Sequence, residues 1–139
     1  MSDWAGNEGA HWAANADRYT RVLAEFGALL VEAAAFAPGQ RVLEIGCGNG
    51  DTAVAAGRAV GHDGSVLGVD LSEDMLGVAR ARVAAAGLTN TTFVAADATT
   101  FAPDEAGFDL AVSRFGVMFF DDPAAAFLGH QGLEGLARR

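Results

Sequence analysis

The chain has 139 residues, 51% of them hydrophobic, and its 18 acidic residues against 9 basic ones give a formal net charge of -9. One domain of this size buries roughly two thirds of the surface its unfolded chain exposes, and an acidic chain whose basic residues are all arginines lacks the footprint that nucleic acid phosphates require, so no nucleic acid partner is expected. The single cysteine, Cys47, excludes an intrachain disulfide, and the longest apolar stretch, residues 26–37, is interrupted by Glu32 and falls short of the ~20 residues a bilayer span takes. The expectation is a cytoplasmic protein without a membrane partner.

In chain order, Trp4 and Trp12 lie in a polar, glycine-containing lead that reads as irregular chain, a candidate lid. From Asp17 to Ala37 the apolar positions Tyr19, Val22, Leu23, Phe26, Leu29, Leu30 and Ala33 follow the spacing of one amphipathic helix, stopped by Pro38 and Gly39. Val42, Leu43 and Ile45 form a short strand that runs into three alternate glycines, Gly46, Gly48 and Gly50, and the alanine-rich stretch from Asp51 to Val60 then reads as helix.

Ser65 to Asp70 is the next strand, continuously apolar through Val66-Leu67-Gly68-Val69, as expected where a parallel sheet covers both faces. Ser72 is a good N-cap for a helix whose apolar stripe is Met75, Leu76, Ala79, Val83 and Ala86, closed by Gly87. Thr91 to Ala95 makes a third strand and Phe108 to Phe115 a fourth, with a loop marked by Pro103 and Gly107 between them, and Asp122-Pro123 opens a further helix. Strands alternating with helices predict an α/β fold: a Rossmann-like, doubly wound parallel sheet, incomplete at about four strands, preceded by an N-terminal helix.

In such a sheet, ligands bind outside the carboxyl ends of the strands. The notable polar residues stand at those ends: Glu44 with the glycine turn, Asp70, Asp97, and Ser113 with Arg114. Glycines suit the turn because the chain reverses over few residues and a ligand approaches backbone most closely where no Cβ intervenes, so the turn is expected to deliver its amides to one spot. The nicotinamide fingerprint G-x-G-x-x-G places its glycines differently, since here Gly50 follows Gly48 by two and no glycine continues that register. Asp70 follows Gly50 by twenty residues, the distance at which an acid on the second strand accepts from both hydroxyls of a ribose; a helix-capping aspartate is the competing account. The histidines His11, His62 and His130 are scattered without metal-ligand spacing, so no metal site is expected.

The run Arg41-Val-Leu-Glu-Ile-Gly-Cys-Gly-Asn-Gly-Asp-Thr-Ala53 resembles motif I of the class I S-adenosylmethionine-dependent methyltransferases. The segment from Phe108 to Pro123 resembles the fourth strand and following loop of their small-molecule members, and the resemblance extends from Trp12 to about Phe127. It implies S-adenosyl-L-methionine as cofactor and a small-molecule methyl acceptor. Gly46, Cys47, Gly48 and Gly50 would lie under the methionyl part, and Glu44 would meet the ammonium group or orient the turn. Asp97 would accept from the adenine amine while the Ala98 amide donates to the ring, Leu71 and Met75 would flank the adenine, and the chain at Ser113 and Arg114 would face the methionyl end. Plain core is the competing account for Met75, and for Phe115, Met118 and Phe119, which would border the acceptor pocket. Cys47 reads as a small side chain in a crowded turn rather than a nucleophile, and no catalytic base is identified, with Tyr19, His11 and Arg114 the polar candidates.

The resemblance divides the chain into a lid and helix (1–37), a cofactor-binding core (38–127) and an atypical tail (128–139), which has three glycines at helical spacing. Members of the family carry three more strands after the fourth, so the expectation is a truncated or frameshifted product. Strand four would then be an edge open to self-association, and the chain would bind cofactor weakly and not turn over by itself.

Overall fold

The computed structural model describes residues 3–22, 24–97 and 107–113. Among these residues the elements follow in the order α1 (Asn7–Ala14), α2 (Ala16–Val22), α3 (Ala24–Ala34), β1 (Arg41–Ile45), α4 (Asp51–Val60), β2 (Ser65–Asp70), α5 (Glu73–Ala85), β3 (Thr91–Ala95) and β4 (Leu110–Val112). All strand pairs are parallel, and the sheet order is β3-β2-β1-β4. Placing β4 against the free side of β1 reverses the direction in which strands are added, so the first and fourth strands diverge at a switch point, as in a doubly wound sheet.

The sheet holds together because side chains alternate faces along each strand. Val42, Val66 and Val112 form one cluster with Ala53, Ala56 and Val60 of α4, against which Leu30, Ala34 and Phe36 pack. Leu43, Ile45, Val69 and Ala111 form a second cluster, with Leu67, Val94, Ala96 and Phe108 against it. Strand β4 is anchored at its start, where Asp109 accepts from the Arg41 amide (2.8 Å) and returns its own amide to the Arg41 carbonyl (2.8 Å). Helix α5 opens as its sequence predicts, with Ser72 Oγ accepting from the Met75 amide at 3.1 Å, and it buries Met75, Leu76, Ala79 and Val83.

The structure corrects the reading of the N-terminal third. The lead is not irregular: α1 carries Trp12 in regular helix. Within the helix expected over residues 17–37 the described residues are helical in α2 and α3, and α3 ends at Ala34, where Ala35 turns into the left-handed region (φ 50°) before Pro38. The buried side of α3 runs through Leu30 and Ala34, whereas Leu29, placed in the apolar stripe by spacing, is exposed. Strand β4 spans three residues rather than eight, and Pro103, Arg114, Phe115, Met118, Phe119, the Asp122-Pro123 helix start and the tail lie outside the described residues. Among the described residues β4 is the sheet edge, and no helix is long and apolar enough to cross a membrane.

Candidate functional site

At the carboxyl end of β1 the chain passes through Gly46, Gly48 and Gly50 with φ of 68°, 55° and 86°, values that L side chains rarely adopt. Four of the turn's amides are spent inside the protein. Those of Gly46 and Cys47 donate to the Val69 carbonyl (2.8 and 3.2 Å) and that of Gly50 to the Cys47 carbonyl (3.1 Å). The Gly48 amide donates to Asp70 Oδ2 at 2.9 Å, while the Ser72 amide donates to Asp70 Oδ1, also at 2.9 Å. The turn is therefore not the open cradle of amides that its glycines suggest; a carboxylate from the next strand grips it. Beneath Gly48 lies the Met75 methyl group, 2.8 Å from where a Cβ would stand.

The electrostatics at this corner are negative. Glu44 is buried on β1, two residues before the turn, and Asp70 is the other carboxylate. The Cys47 thiol is pushed well up, first by burial and then by the charges of Glu44 and Asp70, which makes it a neutral, inert thiol. Burial also raises Asp70 above the ordinary carboxylate range, opposed by the amides of Ser72, Gly48 and Leu71. A folded chain that holds this proton more tightly than the unfolded chain has that contribution to stability in full at low pH and loses it as pH rises through the raised value. The urea midpoint of the wild-type chain, measured against Asp70→Asn at each pH, should therefore fall from the acid range toward neutrality; a flat difference would mean that burial does not govern this carboxylate.

The other predicted residues distribute around the same end of the sheet. Leu71, next to Asp70, is 44% exposed and leaves an open apolar surface beside the carboxylate. Met75 is buried under the turn, so the structure places it as floor. Asp97 is exposed two residues beyond β3. Ser113 Oγ donates to the Ile45 carbonyl at 2.9 Å and so bridges β4 to the end of β1 at the switch point. Ala98 and Arg114 lie outside the described residues.

Two participants escaped the sequence reading. Ser72 was legible as a helix cap, yet its amide is also half of the grip on Asp70. Asn49 sits inside the glycine turn, where its side-chain Nδ2 donates to the Trp12 carbonyl at 3.1 Å, a contact across 37 residues that no local signal announces. The polar candidates His11 and Tyr19 come together, with Nε2 to hydroxyl at 2.7 Å, and Tyr19 stacks on Trp12 at 3.7 Å between ring centroids. Among the described residues no three histidine, cysteine or acidic side chains are grouped to hold a metal.

Parallel sheets that reverse their strand order bind ligands at the reversal, outside the carboxyl ends, and a glycine turn meeting an acid of the second strand at that spot defines a Rossmann-like cofactor-binding domain. Residues 42–130 match the methyltransferase domain family, and the chain belongs to that family. It is 43% identical over 79 residues to demethylmenaquinone methyltransferase of Shouchella clausii, a match covering 57% of this chain and 34% of that one. It is 35% identical over 112 residues to aklanonic acid methyltransferase DauC of Streptomyces sp. strain C5, covering 78% of this chain and 51% of the relative. Among solved structures it resembles CrArsM, an arsenic(III) S-adenosylmethionine methyltransferase from Chlamydomonas reinhardtii, with a TM-score of 0.61 and 30% identity over 67% of this chain and 34% of that one. The chain thus spans about half or less of the length of these relatives.

The residues present fit a cofactor with hydroxyl and ammonium groups better than one built on phosphates. Asp70 is an acceptor with about four lone-pair sites; the amides of Gly48, Ser72 and Leu71 draw on up to three of them, which leaves room for a hydroxyl donor. The Gly46, Cys47, Gly48 and Gly50 amides are already committed within the protein, and with two carboxylates beside them they would oppose a pyrophosphate and suit a cation.

Proposed function

We propose that this chain provides the cofactor-binding part of an S-adenosyl-L-methionine-dependent methyltransferase acting on a small-molecule acceptor, in the cytoplasm. The observation that supports the reading is the grip of Asp70 on the glycine turn, which sets its carboxylate, with that of Glu44, beside the turn and makes the potential there negative rather than positive. In this reading Asp70 holds the ribose hydroxyls, Glu44 the ammonium group, and Gly46, Cys47, Gly48 and Gly50 run under the methionyl part. Exposed Leu71 covers one adenine face, Asp97 and the Ala98 amide read the adenine edge, and Arg114 belongs to the methionyl end. Met75 serves by supporting Gly48 from below rather than by touching the ring.

The bound cofactor supplies a sulfonium methyl that leaves a neutral thioether, so the chain's contribution is chiefly to position and exclude water. Proximity of this kind supplies up to about 7–11 kcal/mol where two groups are held in line, and a base is needed only for an acceptor that must lose a proton. A lone free thiol, Cys47, accords with the cytoplasmic assignment, and a net charge of -9 opposes a nucleic acid acceptor. Self-association through β4 belongs to the same reading, in line with its position at the edge of the described sheet.

Calorimetric titration of the purified chain with S-adenosylmethionine, S-adenosylhomocysteine and NAD tests the assignment. Heat of binding is expected with the first two and none with NAD. Binding of NAD alone would overturn it.

A further inference from the structure

The N-terminal segment touches the cofactor corner at three separate places. Asn49, inside the glycine turn and only 6% exposed, donates from Nδ2 to the Trp12 carbonyl. Arg82 on α5 spans the junction, with Nη1 donating to the Asn49 carbonyl at 3.4 Å and Nη2 to the Asp17 carboxylate at 3.0 Å. Gly9 of α1 stands so close to Ser72 that an added Cβ would lie 2.3 Å from Ser72 Oγ and 2.0 Å from the Trp4 carbonyl oxygen. Asn49 and Ser72 are not arbitrary anchors. The first lies between Gly48 and Gly50, and the second gives its amide to Asp70. The segment is also held together by its own ring contacts, since Trp12 stacks on Tyr19 across α1 and α2 (3.7 Å, 18° between ring planes) and lies 5.6 Å from Trp4.

We propose that residues 3–22 are a strap forming the outer wall of the cofactor site, with Asn49 as the positioning residue that docks it, so that cofactor binding and strap docking strengthen one another. The proposal rests on the methyltransferase reading above. A ligand held between the turn and Asp70 fixes the backbone of Asn49 and Ser72, the two anchors, and a strap meeting anchors already ordered loses less freedom on docking. Linkage makes the effect reciprocal: a docked strap holds the anchors in the geometry the ligand needs.

Two variants separate the strap from the core. Gly9→Ala leaves the turn untouched and favours helix in α1, because alanine is the better helix former, but it removes the space against Ser72. Asn49→Ala removes the docking donor from the turn side. The chain's two tryptophans, Trp4 and Trp12, both belong to the strap, so their quenching by acrylamide reads docking directly. In the wild-type chain, saturating S-adenosylhomocysteine should reduce that quenching. Both variants should bind S-adenosylhomocysteine at least about fivefold more weakly, the lower end of ordinary coupling between sites, with tryptophans that stay accessible whether or not ligand is present. If Asn49→Ala does not fold by circular dichroism, Gly9→Ala decides alone. Wild-type affinity in Gly9→Ala, or ligand binding to the wild-type chain that leaves quenching unchanged or increases it, would overturn the strap and leave the methyltransferase reading standing. No heat with S-adenosylhomocysteine in the wild-type chain would overturn both.

Discussion

Gly50→Ala is expected to destabilise the fold by about 2–5 kcal/mol, combining the left-handed penalty of an L residue with overpacking against a neighbour. Gly50 has φ 86°, and a Cβ built on it would lie 2.7 Å from the Ala79 Cβ and 2.9 Å from the Ala79 Cα. That second contact is with helix backbone, which cannot swing aside as a long side chain can. Gly39 provides the control, because its φ is a similar 82° with nothing within 4 Å of the added Cβ. Gly39→Ala should therefore lose only the conformational part, about 1–2 kcal/mol. Urea unfolding of both variants separates the two contributions, with the slope unchanged and the midpoint of Gly50→Ala the lower. Equal midpoints would show that α5 yields freely at Ala79, and that the close approach of turn and helix is not a constraint.

Asp70→Ala should weaken S-adenosylmethionine and S-adenosylhomocysteine alike, since the two carry the same ribose. Losing a charged acceptor costs about 1.5–3 kcal/mol, roughly ten- to a hundredfold in affinity. The structure adds a second cost, because the Gly48 and Ser72 amides lose their acceptor in the same substitution. Asp70→Asn divides the two roles: it keeps the size and one acceptor oxygen, and so should retain part of the grip while losing the charge. Affinity in calorimetry is expected to fall in the order wild type, Asn, Ala. A folded Asp70→Ala chain with wild-type affinity would leave Asp70 as a brace of the turn and remove it from ribose binding.

These substitutions lie on the boundary between what the linear chain announces and what it conceals. The pattern of β1, α4, β2, α5 and β3 was legible because each element carries its own periodicity and its own stop: the apolar run Val66 to Val69, the Ser72 cap, the closing Gly87 with φ 71°. The family was legible for the same reason, since the glycine spacing after β1 and the acid at the end of β2 are local signals.

The sequence by itself determined the elements of the core, the parallel α/β class and the corner where Glu44, the glycine turn and Asp70 meet. Tertiary structure alone decided which partners those groups take. A glycine turn can offer its amides outward or fold them inward, and only the arrival of Val69 and Asp70 beside it settles that they go inward. Apolar spacing made Leu29 and Met75 look alike as stripe residues, but packing left one exposed and put the other under Gly48. The N-terminal lead carries a weak helical signal, with glycines at positions 6 and 9, and propensity counts Gly9 against a helix. That same glycine lets α1 lie against Ser72, because close approach of two elements rewards the absence of a side chain, and the partner at such a contact belongs to another part of the chain.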